Sequence, residues 1–369
     1  MQLCYIISDI NKAVYFEQTA LHLRAQKWNV CYILINSTQG ELHRFLSENL
    51  FTVYTIESGS LLKSRKAILT CKEILKEQQI THVHCHLAQA NWIGLWAAKL
   101  TGVQTRIYTR HSGEPLNLHW KERLIDKIQN KLATRIVAIS KNIDDLLEKQ
   151  GVPAKKRVLI HHGFDLERFS HPQNEEVLRI QKDYNPNTQS PVIGIISRWL
   201  ELKGIYYTID AFQQLLKTHP DALLCLFGAS GNADYSKEIN ELVQTIPQQN
   251  VRVVGFENNV YDLYQLFDIY IHVPVNSSCE AFGQTYVEAL AAGIPSIFTL
   301  SGVAREFIVN EKNALVVPFQ DSASIHQAML LLLSNQTLNE NLRLKGPESI
   351  REMFSFDRYI AQLNKIYTD

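Results

Sequence analysis

Two successive trains of short apolar runs, each run separated from the next by an amphipathic or polar stretch, constrain this chain more than any other feature. In the first half the apolar runs fall at 3–8, 30–35, 83–85, 106–109, 135–139 and 158–160, with helical periodicity around 14–26, 62–77, 89–100, 120–132 and 141–149. In the second half they fall at 192–197, 223–227, 251–254, 269–273, 296–300 and 314–317. Strand alternating with helix over such lengths requires a parallel sheet with helices on both faces. A chain of 369 residues also exceeds one core, so two such sheets are expected. Between the trains lies HPQNEEVLRIQKDYNPNTQSP, a polar segment with three prolines. The expected plan is a first domain over 1–168, a linker over 169–190 with at most a short helix, and a second domain over 191–354. A terminal helix at 355–369 is expected to return to the first domain.

A content of 46% hydrophobic and 9% aromatic residues is that of an ordinary globular protein. The six cysteines are scattered, with no C-x-x-C pair, and fit reduced thiols better than a disulfide framework or a zinc site. The apolar stretch before Asp9 is too short for a signal peptide, and no run reaches membrane-spanning length. The expectation is a soluble, cytoplasmic chain. The net charge of zero conceals an asymmetry: residues 1–170 carry 23 Lys and Arg against 15 Asp and Glu, or +8, and the remainder is −8. A basic half suits an anionic partner, either a lipid phosphate or the inner membrane surface; Lys-rich solvated helix faces account for it equally well.

Residues 274–306 hold the densest chemistry. A buried strand leads into a polar loop with Glu280, followed by Phe282 and Gly283. From Gln284 and Thr285 a helix of strong formers, QTYVEALAA, runs to Gly293, with Pro295 beyond. The unpaired N–H groups of its first turn make an anion site that Gly283 lets a phosphate approach. Glu288 lies one turn further in, on an otherwise apolar helix, where a carboxylate needs a hydrogen-bond partner. Either Glu alone is as consistent with a structural ion pair. Together, two carboxylates flanking a helix N-terminus suit a nucleotide sugar.

The pattern Glu280-Ala-Phe-Gly283-x4-Glu288 resembles the E-x7-E signature of the retaining family 4 glycosyltransferases, which have the GT-B fold: two Rossmann-like parallel-sheet domains facing a central crevice. The resemblance extends from about residue 81 to the end. It implies that Arg198 and Lys203 bind the diphosphate, that Glu280 holds the sugar hydroxyls and Glu288 the ribose, and that His111 sits near the anomeric carbon. Arg198, Lys203, Glu280 and His111 are therefore the catalytic candidates. Gly228, Phe256, Phe282, Gly283, Gln284 and Thr285 are further donor-side candidates. Gly231 falls in the same crevice wall, and Arg110 and His119 are weaker neighbours of His111. His84 and His86 are read as one inward structural histidine and one pocket-facing histidine, His86 being the pocket candidate. Asp165 is read as a cap near the linker. Family members carry a glycine pair in the loop after the first strand, and this chain has none; Asn11 and Lys12 are the acceptor-side candidates in its place.

No D-x-D occurs, so no metal and no other cofactor is expected, and positive side chains with a helix N-terminus must balance the leaving diphosphate. The resemblance implies a retaining, metal-independent hexosyltransferase moving sugar from a UDP-sugar to a glycan or lipid-linked acceptor, as in polysaccharide or glycolipid synthesis. The partners expected are the nucleotide sugar and that acceptor, with no nucleic acid. A GT-B epimerase or phosphorylase, or a catalytically silent nucleotide-sugar-binding subunit, is the alternative.

Overall fold

The computed structural model describes residues 2–37, 40–59, 64–113, 120–228 and 233–368. The chain divides into two compact domains, one of residues 1–164 with 356–369 and one of residues 165–355. The first is built on β1 (Gln2–Ser8), β2 (Asn29–Ile35), β3 (Thr52–Ile56), β4 (His82–His86), β5 (Thr105–Arg110), β6 (Arg135–Ala138) and β7 (Arg157–Leu159). Its strand order is β3-β2-β1-β4-β5-β6-β7, all parallel. The second is built on β8 (Val192–Ile196), β9 (Leu223–Phe227), β10 (Val251–Val254), β11 (Ile269–His272), β12 (Ser296–Phe298) and β13 (Leu315–Val316), in the order β10-β9-β8-β11-β12-β13, again all parallel.

Each order reverses once, between β1 and β4 in the first sheet and between β8 and β11 in the second. The loops leaving the carboxyl ends of strands at such a reversal diverge to opposite faces and open a crevice there. The same reversal therefore picks out the positions after Ser8 and His86 in one domain and after Ile196 and His272 in the other.

Two elements depart from the sequence expectation at the domain junction. Residues 169–190 do not form a free linker. The helix Asn174–Tyr184 and the short helix Leu166–Ser170 pack with the second domain. The Arg168 guanidinium grips the fully buried Asp262 at 2.5 and 2.8 Å, and the Gln173 N–H donates to the same carboxylate at 2.8 Å. Arg179 and Tyr184 donate to Glu257 at 3.1 and 2.7 Å. A segment that reads as polar is thus held by charge-assisted bonds that its periodicity does not reveal. Asp165 caps the helix Leu166–Ser170, accepting from the Arg168 N–H at 3.3 Å.

The terminal helix Phe356–Thr368 joins the core of the first sheet through Phe356, Tyr359, Ile360, Leu363, Ile366 and Tyr367. Burying each such side chain contributes on the order of 1.5–3 kcal/mol. Polar pins add direction: Tyr367 OH meets Tyr5 OH at 2.7 Å and His84 Nδ1 at 2.5 Å, and Tyr359 OH meets Tyr15 OH. All six cysteines are free thiols. Among the described residues no helix is long and apolar enough to cross a membrane.

Candidate active site

In the second domain the reversal point gathers three groups of opposite character. β11 ends in His272, a buried imidazole on an otherwise apolar strand. The loop beyond it brings Glu280 back so that its Oε1 accepts from His272 Nε2 at 2.9 Å and from Lys203 Nζ at 2.6 Å. The Glu280 N–H is held by Ser301 Oγ at 3.1 Å. Lys203 comes from the short turn after β8. Gly204 follows it in the left-handed region (φ 69°), and a Cβ there would lie 2.0 Å from the Val273 carbonyl, so only glycine lets this turn reach the end of β11.

Burial alone would raise the Glu280 carboxyl, but the His272 hydrogen bond and the charges beside it outweigh that and hold it at about 2. Burial lowers His272, the Glu280 bond opposing. Glu280 is therefore a carboxylate and His272 a neutral imidazole. Since a carboxylate only accepts, His272 must carry its proton on Nε2. Lys203 is paired with Glu280, and its side chain is only 14% exposed. Arg198 is exposed, with no ion pair among the described residues, and supplies the uncompensated positive charge.

The helix Gln284–Ala291 starts at Gly283, which has φ 91° and whose Cβ would strike the Tyr286 ring at 2.6 Å. Gln284 is exposed at its first position and Thr285 is half-buried. Phe282 does not line a binding surface through its side chain: it is buried and meets the Phe354 ring edge-on at 5.9 Å. Gly228 ends β9 beside Ser197, and Phe256 stands 72% exposed after β10, on a loop braced by Glu257. Gly231 lies outside the described residues.

Glu288 accepts from the Tyr264 hydroxyl at 2.9 Å. Burial pushes its carboxyl up to about 7, the Tyr264 bond opposing. The fold thus favours the protonated form: this contribution to stability is fully present below the ordinary value of 4.5 and is lost as pH rises through about 7. The melting temperature of the wild type is expected to fall relative to that of Glu288→Gln between those pH values and to run parallel above them. Parallel curves throughout would show that Glu288 ionises freely.

In the first domain the carboxyl ends of β4 and β5 carry the histidines. Residues two apart on a strand share a face. His84 and His86 accordingly project to the same side, their ring centroids 4.3 Å apart, rather than one inward and one toward a pocket. Both are 0% exposed. His84 bonds Tyr367 OH and Thr109 Oγ1. His86 Nδ1 lies 3.0 Å from Nε2 of the half-buried His111, and the His162 ring stacks parallel to His111 with centroids 5.4 Å apart. Arg110 is tied to Asp126 at 2.8 Å; His119 lies outside the described residues.

Asn11 and Lys12 are engaged within the protein. The Asn11 carbonyl accepts from the Leu42 N–H at 2.8 Å, and Lys12 pairs with Glu41 at 3.0 Å, so both anchor the start of the helix Glu41–Glu48. Asp9 takes the left-handed backbone (φ 55°) that a glycine would otherwise occupy, with Asn36 Nδ2 donating to its carboxylate at 3.0 Å.

His272, Tyr264 and Ser301 hydrogen-bond the candidate residues Glu280 and Glu288 and were missed by sequence reasoning. His272 was signalled by a lone imidazole ending the apolar run IYIH. The other two left no comparable mark.

Two doubly wound parallel-sheet domains with polar groups gathered at their reversal points define the GT-B class of fold. A model described as Glycosyl transferases group 1 matches residues 177–349, and one described as Glycosyltransferase Family 4 matches residues 13–168. N-acetyl-alpha-D-glucosaminyl L-malate synthase of Bacillus anthracis is 22% identical over 80% of this chain and 77% of its own length. The capsular polysaccharide biosynthesis glycosyltransferase CapM of Staphylococcus aureus is 22% identical over 93% and 90%. The crystal structure of Anabaena Alr3699/HepE in complex with UDP and glucose superposes with a TM-score of 0.85 at 16% identity, covering 100% of this chain and 99% of that one. A glycosyltransferase from Rickettsia africae gives 0.83 at 22% identity, over 100% and 97%. The chain belongs to glycosyltransferase family 4 and is a glycosyltransferase of the kind that draws on a nucleotide-sugar donor.

Proposed function

We propose that this protein transfers a hexose from a UDP-sugar to a glycan or lipid-linked acceptor with retention of anomeric configuration and without a metal ion. The observation that carries the reading is the Lys203–Glu280–His272 cluster at the reversal of the second sheet, followed within the same loop by a helix N-terminus. In this reading the diphosphate lies on the N–H groups after Gly283 and on Arg198. Glu280, ionised and rigidly held, accepts from sugar hydroxyls, and Lys203 follows the charge as it grows on the leaving phosphate. Glu288 accepts from the ribose hydroxyls, Phe256 offers its exposed ring to the base, and His111 serves the acceptor side. The glycosidic C–O bond to phosphate breaks as the acceptor oxygen bonds to the same face of the sugar. The acceptor proton passes to the departing phosphate oxygen, so no protein nucleophile is required.

Calorimetric titration with UDP, GDP and ADP tests the donor assignment. UDP is expected to bind tightest, and Glu288→Ala to weaken it by the roughly 0.5–1.5 kcal/mol that a hydrogen bond typically contributes. Equal binding of the three nucleotides, or an unchanged affinity in the variant, would refute the assignment.

The +8 charge of residues 1–170 supports a peripheral position on an anionic membrane face. Binding to anionic vesicles is expected, with release as salt approaches about 0.5 M, where screening becomes severe. Equal partition to neutral and anionic vesicles would point instead to a soluble acceptor.

A further inference from the structure

The histidines at the carboxyl ends of β4 and β5 meet through one nitrogen each, and a hydrogen bond between those two atoms needs one donor and one acceptor. His86 and His111 face each other through Nδ1 and Nε2 at 3.0 Å. Burial depresses both, His86 well below the ordinary histidine range and His111 to about 4, so both rings are neutral at physiological pH. A neutral imidazole has one N–H and one lone-pair nitrogen, and a hydrogen bond at this distance requires that one facing atom carry hydrogen and the other present its lone pair. Two arrangements remain. If His111 Nε2 is the donor, the His86 proton sits on its own Nε2. If His86 Nδ1 is the donor, the His111 proton sits on Nδ1.

The far side of His86 decides between them. Its Nε2 is buried and has no hydrogen-bond partner. The ring is clamped there, stacked on Tyr5 at 5.1 Å and edge-on to Phe16 at 4.9 Å, and the Tyr5 hydroxyl is already committed to Tyr367. A buried N–H without an acceptor is among the rarest defects in native proteins, whereas an under-used acceptor is tolerated more often. The arrangement with a bare His86 Nε2 is therefore favoured, and it places the His86 proton on Nδ1, aimed at His111. Among the described residues no protein group hydrogen-bonds His111 Nδ1, and the residue is half-buried, not sealed.

We propose that His86 is a positioning residue that locks His111 in the Nδ1–H tautomer, so that His111 meets an oxygen of its ligand as a hydrogen-bond donor and not as a base. The catalytic consequence rests on the reading of His111 as a substrate-facing residue; the tautomer itself does not. A donor fixed in this way lowers the barrier if the oxygen it meets gains negative charge, and it needs no reorganisation when the reaction occurs.

Nitrogen-15 correlation spectra of the full-length, histidine-labelled protein without substrate read the tautomer directly, with the two rings assigned from the spectra of His86→Asn and His111→Ala. Both rings are expected to carry hydrogen on Nδ1. A His111 ring protonated on Nε2 would overturn the proposal, whatever reaction the protein catalyses. Turnover then tests the consequence. His86→Asn retains an N–H donor near the Nδ1 position and is expected to keep activity within several-fold of wild type. His86→Leu is expected to lose about 10²-fold in kcat with KM for the donor sugar little changed. Equal loss in both variants would mean that His86 only fills space, and the positioning role would fall. A confirmed tautomer in a protein that turns over no nucleotide sugar would leave this inference standing and count against the proposed function.

Discussion

Arg198→Ala and Lys203→Ala are each expected to lose about 10²–10³ in turnover, the typical cost of removing one preorganised stabiliser from a reacting anion. Their effect on donor affinity is expected to be smaller, because the charge on the leaving diphosphate grows toward the transition state. The two differ in what else they disturb. Arg198 is exposed and has no ion pair among the described residues, so its loss is expected to leave the fold alone. Lys203→Ala also strips a partner from Glu280, a buried carboxylate left with His272 on the same oxygen, and a lower melting temperature should accompany its kinetic defect. Single-turnover kinetics beside thermal melts separates the effects. An Arg198→Ala enzyme with wild-type kcat would remove the free cation from the account.

His111→Ala is expected to lose transfer by a comparable factor while nucleotide affinity stays within a few-fold. The reason is placement: His111 belongs to the first domain, whereas Arg198, Lys203, Glu280 and the helix after Gly283 belong to the second. The measurement is a pair, calorimetry with UDP and transfer to acceptor. Near wild-type transfer, or a nucleotide affinity that collapses with it, would show that His111 is misassigned.

The sheets were legible because parallel strands buried on both faces must be almost wholly apolar, and runs such as LLCLF at Leu223–Phe227 have few other uses. β3, TVYTI, escaped notice because it is the edge strand of its sheet and only Ile56 is buried, so its pattern never becomes an apolar run. Glu280, Gly283 and Glu288 were legible as a spacing; what they touch was not. That Lys203 and His272 share one oxygen of Glu280 depends on two strands meeting at the sheet reversal, 77 and 8 residues away along the chain. Phe282 shows the opposite limit: it lies in the same loop as the candidates Glu280 and Gly283, yet the turn directs its ring toward Phe354. The linker was misread because its anchors, Asp262 and Glu257, are themselves polar and lie about 80 to 95 residues downstream, beyond any local pattern.

The central claim is that the second-domain cluster carries nucleotide-sugar chemistry by charge and helix terminus alone. Release of nucleoside diphosphate from a panel of UDP-, GDP- and ADP-sugars, measured in EDTA with and without lipid-linked and glycan acceptors, tests it most directly. The account predicts release of UDP from at least one UDP-sugar, undiminished by EDTA and lost in Glu280→Ala. Release that vanishes in EDTA and returns with Mg²⁺ or Mn²⁺, or no release from any donor, would contradict it.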